Sequence, residues 1–181
     1  MPIETAHLRL FPYAPEHLLA LIDGVPQFEE LTGLVVAEGL HDFMVSDDVS
    51  PAWLAKLRAS SAPDPWLHGF GVVHRESGLV IGSAAFKGPP DDAGIVEIAY
   101  GIVPAFQGRG HATEAAAALV DFAFGSGRVR RVIAHTAPTA NASTHVLRKC
   151  GFDHTGPVID PEDGLVWRWE RGATVPNASD S

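Results

Sequence analysis

Residues 95–123 read IVEIAYGIVPAFQGRGHATEAAAALVDFA, an apolar run, a glycine-bearing turn and an alanine-rich helical pattern in that order. No other feature limits the fold as strongly, because this order predicts a strand feeding a turn of bare amides and a helix that begins where those amides point. Within the turn, Gln107-Gly108-Arg109-Gly110-His111-Ala112 sets two glycines one residue apart. Both can take positive φ, so several N–H groups can converge on one cluster of ligand oxygens. The helix adds its unsatisfied first N–H groups and the positive end of its dipole, and Arg109 adds a fixed charge with a forked donor. Taken alone, the turn has two readings: a phosphate or pyrophosphate site, or a strand-to-helix connection whose glycines serve geometry only.

The rest of the chain supplies context. Residues 7–11 alternate and meet Pro12, which predicts a short edge strand. Pro15 opens a helix with Leu18, Leu19 and Ile22 on one face and Gly24 as its stop. Residues 26–49 fit either a second helix or an irregular cover. Ser50-Pro51 is an N-cap and first-turn pair for a helix carrying Trp53, Leu54 and Leu57. After residues 61–65 the period becomes extended. Residues 67–75 and 79–87 form a hairpin about Glu76-Ser77-Gly78, and a third strand starts at Ile95, giving an antiparallel meander. In the helix from Gly110 to Phe124, Ala112, Ala115, Ala116, Leu119, Val120 and Ala123 share one face. A strand at 129–136, a helix at 140–150 and a closing strand at 166–170 complete a mixed α/β chain.

At 181 residues a single domain is expected, assigned to residues 1–171, with 172–181 as a disordered tail. Hydrophobic residues at 46% against 19% charged exclude a largely disordered chain, and no apolar run is long enough to cross a bilayer. The formal charge of −9 argues against nucleic acid and tilts toward cationic partners. MPIETAHLRL lacks the cationic start and apolar core of a secretory signal, and Cys150 stands alone, so a cytoplasmic protein is expected, as a monomer or homodimer.

A dinucleotide fold would carry a third glycine where Thr113 stands and an acidic residue about twenty positions later, where the chain reads Arg128-Val129-Arg130-Arg131. The nucleotide loop ending in Gly-Lys-Ser/Thr is also missing. Gln107-Gly108-Arg109-Gly110-His111-Ala112, directly after a meander strand and opening a helix, instead resembles the Q/R-x-x-G-x-G/A signature of the GNAT acetyltransferases. Leu8-Arg9-Leu10, Ile81-Gly82, Val103-Pro104 and Lys149-Cys150-Gly151-Phe152 resemble further family landmarks, and the likeness is strongest to the ribosomal-protein N-terminal acetyltransferase branch.

The resemblance implies acetyl-coenzyme A as co-substrate and a mostly antiparallel sheet flanked by helices, with a V-shaped opening between the fourth and fifth strands. It implies that backbone groups of Ile102 and Val103 bond the pantetheine arm and that the amides of Gln107, Gly108, Arg109, Gly110, His111 and Ala112 hold the pyrophosphate. The family's asparagine at the start of the next helix falls on Ala140 by register; Asn141, one position later, is the residue that could reach the cofactor, and Ser143 is in register. The tyrosine that many relatives carry near Leu147 is absent.

Transfer to an amine requires a base for the ammonium and a donor for the departing thiolate. Glu97 is the candidate base, a carboxylate among apolar and small neighbours that calls for a function or a partner; a purely structural ion pair is the alternative. Ser143 is the candidate donor or a helix-start residue. His135 is a second candidate base that nothing in the sequence favours, and His111 is expected to act through its backbone amide. Trp53, Trp66 and Phe70 are read as core or as an acceptor pocket. The expected function is acetyl transfer to a primary amine, a small molecule or a protein N-terminus, by direct attack in a ternary complex; the alternative is a non-catalytic acyl-coenzyme A sensor.

Overall fold

The structure, a computed structural model, describes residues 2–44, 51–161 and 163–173. Ser50, expected as a helix cap, and the tail from residue 174 lie outside the described residues. In chain order the elements are β1 (Ile3–Glu4), β2 (Leu8–Pro12), α1 (Pro15–Asp23), α2 (Val25–Thr32), β3 (Val35–Val36), α3 (Leu40–Met44), α4 (Pro51–Ala59), α5 (Pro65–His68), β4 (Phe70–His74), β5 (Leu79–Phe86) and β6 (Ile95–Ile102). A short 3₁₀ turn (Pro104–Phe106) precedes α6 (His111–Gly125), β7 (Arg131–Thr136), α7 (Ala142–Lys149), β8 (Asp153–Asp160) and β9 (Gly164–Gly172).

Among the described residues nine strands form one sheet in the order β1-β2-β4-β5-β6-β7-β9-β8, with β3 added in parallel to β5. The remaining pairings are antiparallel except β6 with β7. The expected mixed, mostly antiparallel sheet flanked by helices is what is found. Its meander closes tightly because a side chain at Gly82 would run into the Gly101 carbonyl on β6.

The helix α6 packs its small face on the sheet, with Ala115, Ala116, Leu119, Val120 and Ala123 fully buried. Small residues there let helix and sheet approach closely, which pins the glycine turn to the end of β6. Trp66 and Phe70 belong to the core beside it: Trp66 stacks 4.6 Å from Phe86 and 5.3 Å from Phe122.

Four departures from the sequence reading have local causes. Residues 67 and 68 belong to a helical turn because the Asp64 carboxylate accepts the Trp66 N–H at 2.9 Å and caps it. The β2 strand is not an edge, since β1 pairs outside it. The ambiguous region 26–49 contains α2, β3 and α3. The closing strand is one half of a hairpin whose other half, β8, has no buried residue and so carries no apolar alternation to announce it.

Candidate active site

Strands β6 and β7 pair only through Ile95 with Arg131, Val96 with Val132 and Glu97 with Ile133. Beyond Glu97, β6 keeps only β5 and β7 keeps only β9, so the strands part and leave two unpaired edges, residues 98–102 and 134–136. This is the expected V-shaped opening; short β1 and β3 make its walls the sixth and seventh strands.

Ladder parity decides which backbone groups face it. Lys87 N–H donates to Glu97 O at 2.9 Å and Val103 N–H to Ile81 O at 2.8 Å. Alternate residues from Glu97 to Val103 therefore turn their backbone toward β5, and Ile98, Tyr100 and Ile102 turn theirs toward the opening. Val103 is a correction: its N–H is given to Ile81 and its carbonyl accepts from Phe106 N–H at 3.0 Å. The Ile102 carbonyl accepts from Gln107 Nε2 at 2.8 Å, which ties the turn to the strand end.

The turn itself separates into two parts. Gln107 N–H donates to Pro104 O at 3.2 Å, so this amide shapes the turn and is not offered to a ligand. Gly108 and Gly110 hold φ of +76° and +81°, with open space where a Cβ would stand. The amides of Gly108, Arg109 and Gly110 find no acceptor among the described residues, and His111 and Ala112 add first-turn N–H groups of α6. Arg109 lies over the Phe106 ring, 5.3 Å from its centroid. An anion has a bare, positively polarised cradle here.

The ring of His111 takes no part in that cradle. It is buried, both ring nitrogens lack partners, and His74 packs 5.1 Å away. Burial first, with His74 adding, lowers its basicity, so the ring stays neutral.

Where the strands part, a cavity of about 130 Å³ opens between β6, β7 and α7. Lys87, Glu97 and His135 stand on one wall, Tyr100 and Ser143 on another. The Glu97 carboxylate is not alone among apolar groups as its sequence neighbours suggest. Its Oε2 lies 2.9 Å from Lys87 Nζ and its Oε1 lies 3.1 Å from His135 Nδ1. Partial burial would lower the Lys87 ammonium, but contact with Glu97, helped by Asp163 and Asp160, holds it above the ordinary lysine value.

Ser143 is the second residue of α7 and exposed; the cap is Asn141, whose side chain accepts the Thr144 N–H at 3.1 Å while Thr144 Oγ1 accepts the Asn141 N–H at 3.0 Å. Asn141 thus has a helix-capping duty that accounts for its position. Tyr100 hydroxyl reaches across the opening toward the Ser143 carbonyl at 3.4 Å. Burial, with Cys150 adding, pushes that hydroxyl above the usual tyrosine range, so it remains a protonated donor.

Of the side chains that line this cavity, the sequence reading names Glu97, His135 and Ser143, leaves out Lys87 and gives Tyr100 no task. The signal for Lys87 was present in the meander: in a hairpin register that pairs Gly82 with Ile102, Lys87 falls opposite Glu97.

Residues 7–153 match the family model described as an acetyltransferase (GNAT) domain. The chain therefore belongs to the GNAT acetyltransferase family, whose co-substrate is acetyl-coenzyme A. Among curated proteins it is similar to the uncharacterized N-acetyltransferase YjdG of Bacillus subtilis, 27% identical over 99 residues, covering 55% of this chain and 56% of that one. It is also similar to the uncharacterized N-acetyltransferase p20 of Bacillus licheniformis, 30% identical over 93 residues, covering 51% and 52%. The chain spans about half the length of these curated relatives. Its fold matches RimL, a ribosomal-protein alpha-N-acetyltransferase solved with coenzyme A, with a TM-score of 0.65 over 95% of this chain and 98% of that one at 16% identity.

Proposed function

We propose that this protein transfers the acetyl group of acetyl-coenzyme A to a primary amine by direct attack in a ternary complex, in the cytoplasm. The observation that carries the reading is the alignment of two features along one groove. A cradle of free amides at Gly108–Ala112 leads, along the unpaired edge of β6, to a cavity with a carboxylate on one wall and hydroxyls on another. The first suits a pyrophosphate, the edge suits an extended arm bearing amides, and the cavity suits a proton transfer.

In this arrangement the amides of Gly108, Arg109, Gly110, His111 and Ala112 hold the pyrophosphate with the Arg109 guanidinium. The backbone groups of Ile98 and Tyr100 that face the opening, with the Ile102 N–H, take the arm. Bound there, acetyl-coenzyme A supplies an activated acyl carbon. The group of Glu97, Lys87 and His135 receives the proton of the incoming ammonium, and Ser143 with Tyr100 borders the place where the thiolate departs. The Asn141 side-chain oxygen caps α7.

The acceptor is a small amine or a protein N-terminus, as in the RimL-like branch the chain resembles. The test is thiol release from acetyl-coenzyme A against peptides with free N-termini, polyamines, amino acids and aminoglycosides. Amine-dependent release with stoichiometric acetylated product is expected. Tight coenzyme A binding with no release on any class would turn the protein into a sensor.

A further inference from the structure

Within the polar wall of the cavity, the contacts distinguish three roles. Both oxygens of Glu97 are engaged, Oε1 by His135 Nδ1 and Oε2 by Lys87 Nζ. The carboxylate between this ammonium and this imidazole thus has both oxygens turned to partners within the wall. His135 is the reverse case. Its Nδ1 lies 3.1 Å from the carboxylate oxygen, and a proton carried on that nitrogen would leave the Nε2 lone pair open to the cavity. Nε2 has no hydrogen-bond partner among the described residues and, unlike both ring nitrogens of His111, is not sealed from solvent. His135 borders the cavity from β7, across the opening from Tyr100. Imidazole is also the side chain whose ordinary basicity lies nearest neutrality.

We propose that His135 Nε2 is the base of the acetyl transfer, that Glu97 is its positioning residue, and that Lys87 fixes Glu97; this rests on the acetyltransferase reading above. His135 Nε2 accepts a proton from the substrate ammonium. The freed nitrogen lone pair forms the N–C bond to the acetyl carbonyl, the C–S bond breaks with its electron pair remaining on sulfur, and the second proton of the attacking nitrogen passes to that thiolate, directly or relayed past Ser143 and Tyr100, leaving a neutral amide and a thiol. The imidazolium then returns its proton to solvent. The charged groups that face His135 are Glu97 on β6, with Lys87 beyond it on β5, and Arg168, its register partner on β9.

Two measurements decide it. In the imidazole nitrogen NMR spectrum of the ligand-free protein, His135 is expected as the Nδ1–H tautomer, and Glu97→Gln is expected to weaken that preference. Observation of the Nε2–H tautomer in the wild type overturns the proposal. In the thiol-release assay, with whichever panel amine the wild type acetylates, His135→Asn keeps an N–H donor toward Glu97 and removes the base. Its turnover at pH 7 is expected to fall at least about a hundredfold, with coenzyme A affinity within about twofold of wild type and the deficit shrinking as pH rises and the amine ionises unaided. Turnover within about threefold of wild type overturns the assignment of His135 and leaves acetyl transfer standing. A wild type that acetylates no amine overturns both. If His135→Asn fails to fold, the wild-type tautomer alone decides between the two outcomes.

Discussion

Glu114 and Glu97 present the same local chemistry in two places. Each carboxylate is about one-fifth exposed and each faces a histidine Nδ1, His7 at 3.0 Å and His135 at 3.1 Å. Around Glu114, the Thr5 hydroxyl and the His7 N–H and ring all donate to it, which clamps the segment before β2 onto the first turn of α6. Its histidine is an exposed surface group. Around Glu97, the histidine is mostly buried and borders a cavity. A carboxylate–histidine contact is therefore no signature of catalysis by itself. What decides is where the second ring nitrogen faces and whether a substrate can reach it.

The largest expected effect concerns the turn. Gly110→Val has room for its side chain but not for its backbone, since φ is +81°. Realigning the turn removes amide bonds to a charged ligand, each worth roughly 1.5–3 kcal/mol, so coenzyme A affinity by calorimetry should fall at least about tenfold. Affinity within twofold of wild type would place the anion elsewhere.

Glu114→Gln comes next. Burial would raise this carboxyl, but its hydrogen bonds from Thr5 and His7 hold it below the usual range. A depressed carboxyl contributes stability that is complete above its unfolded-chain value and is lost as pH falls through its folded value. Glu114→Gln should cost about 1–2 kcal/mol near neutrality, a Tm loss of a few degrees. That difference should hold down to about pH 4.5, the ordinary carboxyl value, and close as the pH falls further through the depressed folded value. A gap that stays constant with pH would show that the clamp does not depend on charge.

The smallest effect is at Asn141. Its capping box predicts that Asn141→Ala costs about 1 kcal/mol in thermal or denaturant unfolding, with coenzyme A affinity unchanged. A loss of affinity without a loss of stability would restore the residue to the cofactor site.

The same contrast explains what could be read in the chain beforehand. The turn is contiguous, so Gly108, Arg109 and Gly110 announce an anion cradle in consecutive letters, and the length of α6 follows from its apolar stripe. The cavity wall is assembled from β5, β6 and β7, and its three polar members sit at positions 87, 97 and 135, which only strand register brings together. His135 looked like any isolated histidine because its partner is thirty-eight positions away (135 minus 97). Val103 was misassigned because which edge of a strand is free depends on ladder parity, and composition does not carry parity. The β8 strand escaped because a strand with no buried face has no period to detect.

The most direct measurement is turnover of Glu97→Gln beside Glu114→Gln, per folded molecule, at pH 7 with a saturating panel amine. If the opening between β6 and β7 is where acetyl transfer occurs, Glu97→Gln loses at least about tenfold in kcat with coenzyme A affinity within about twofold, while Glu114→Gln turns over within about twofold of wild type. Undiminished turnover in Glu97→Gln, or an equal loss in both variants, contradicts it.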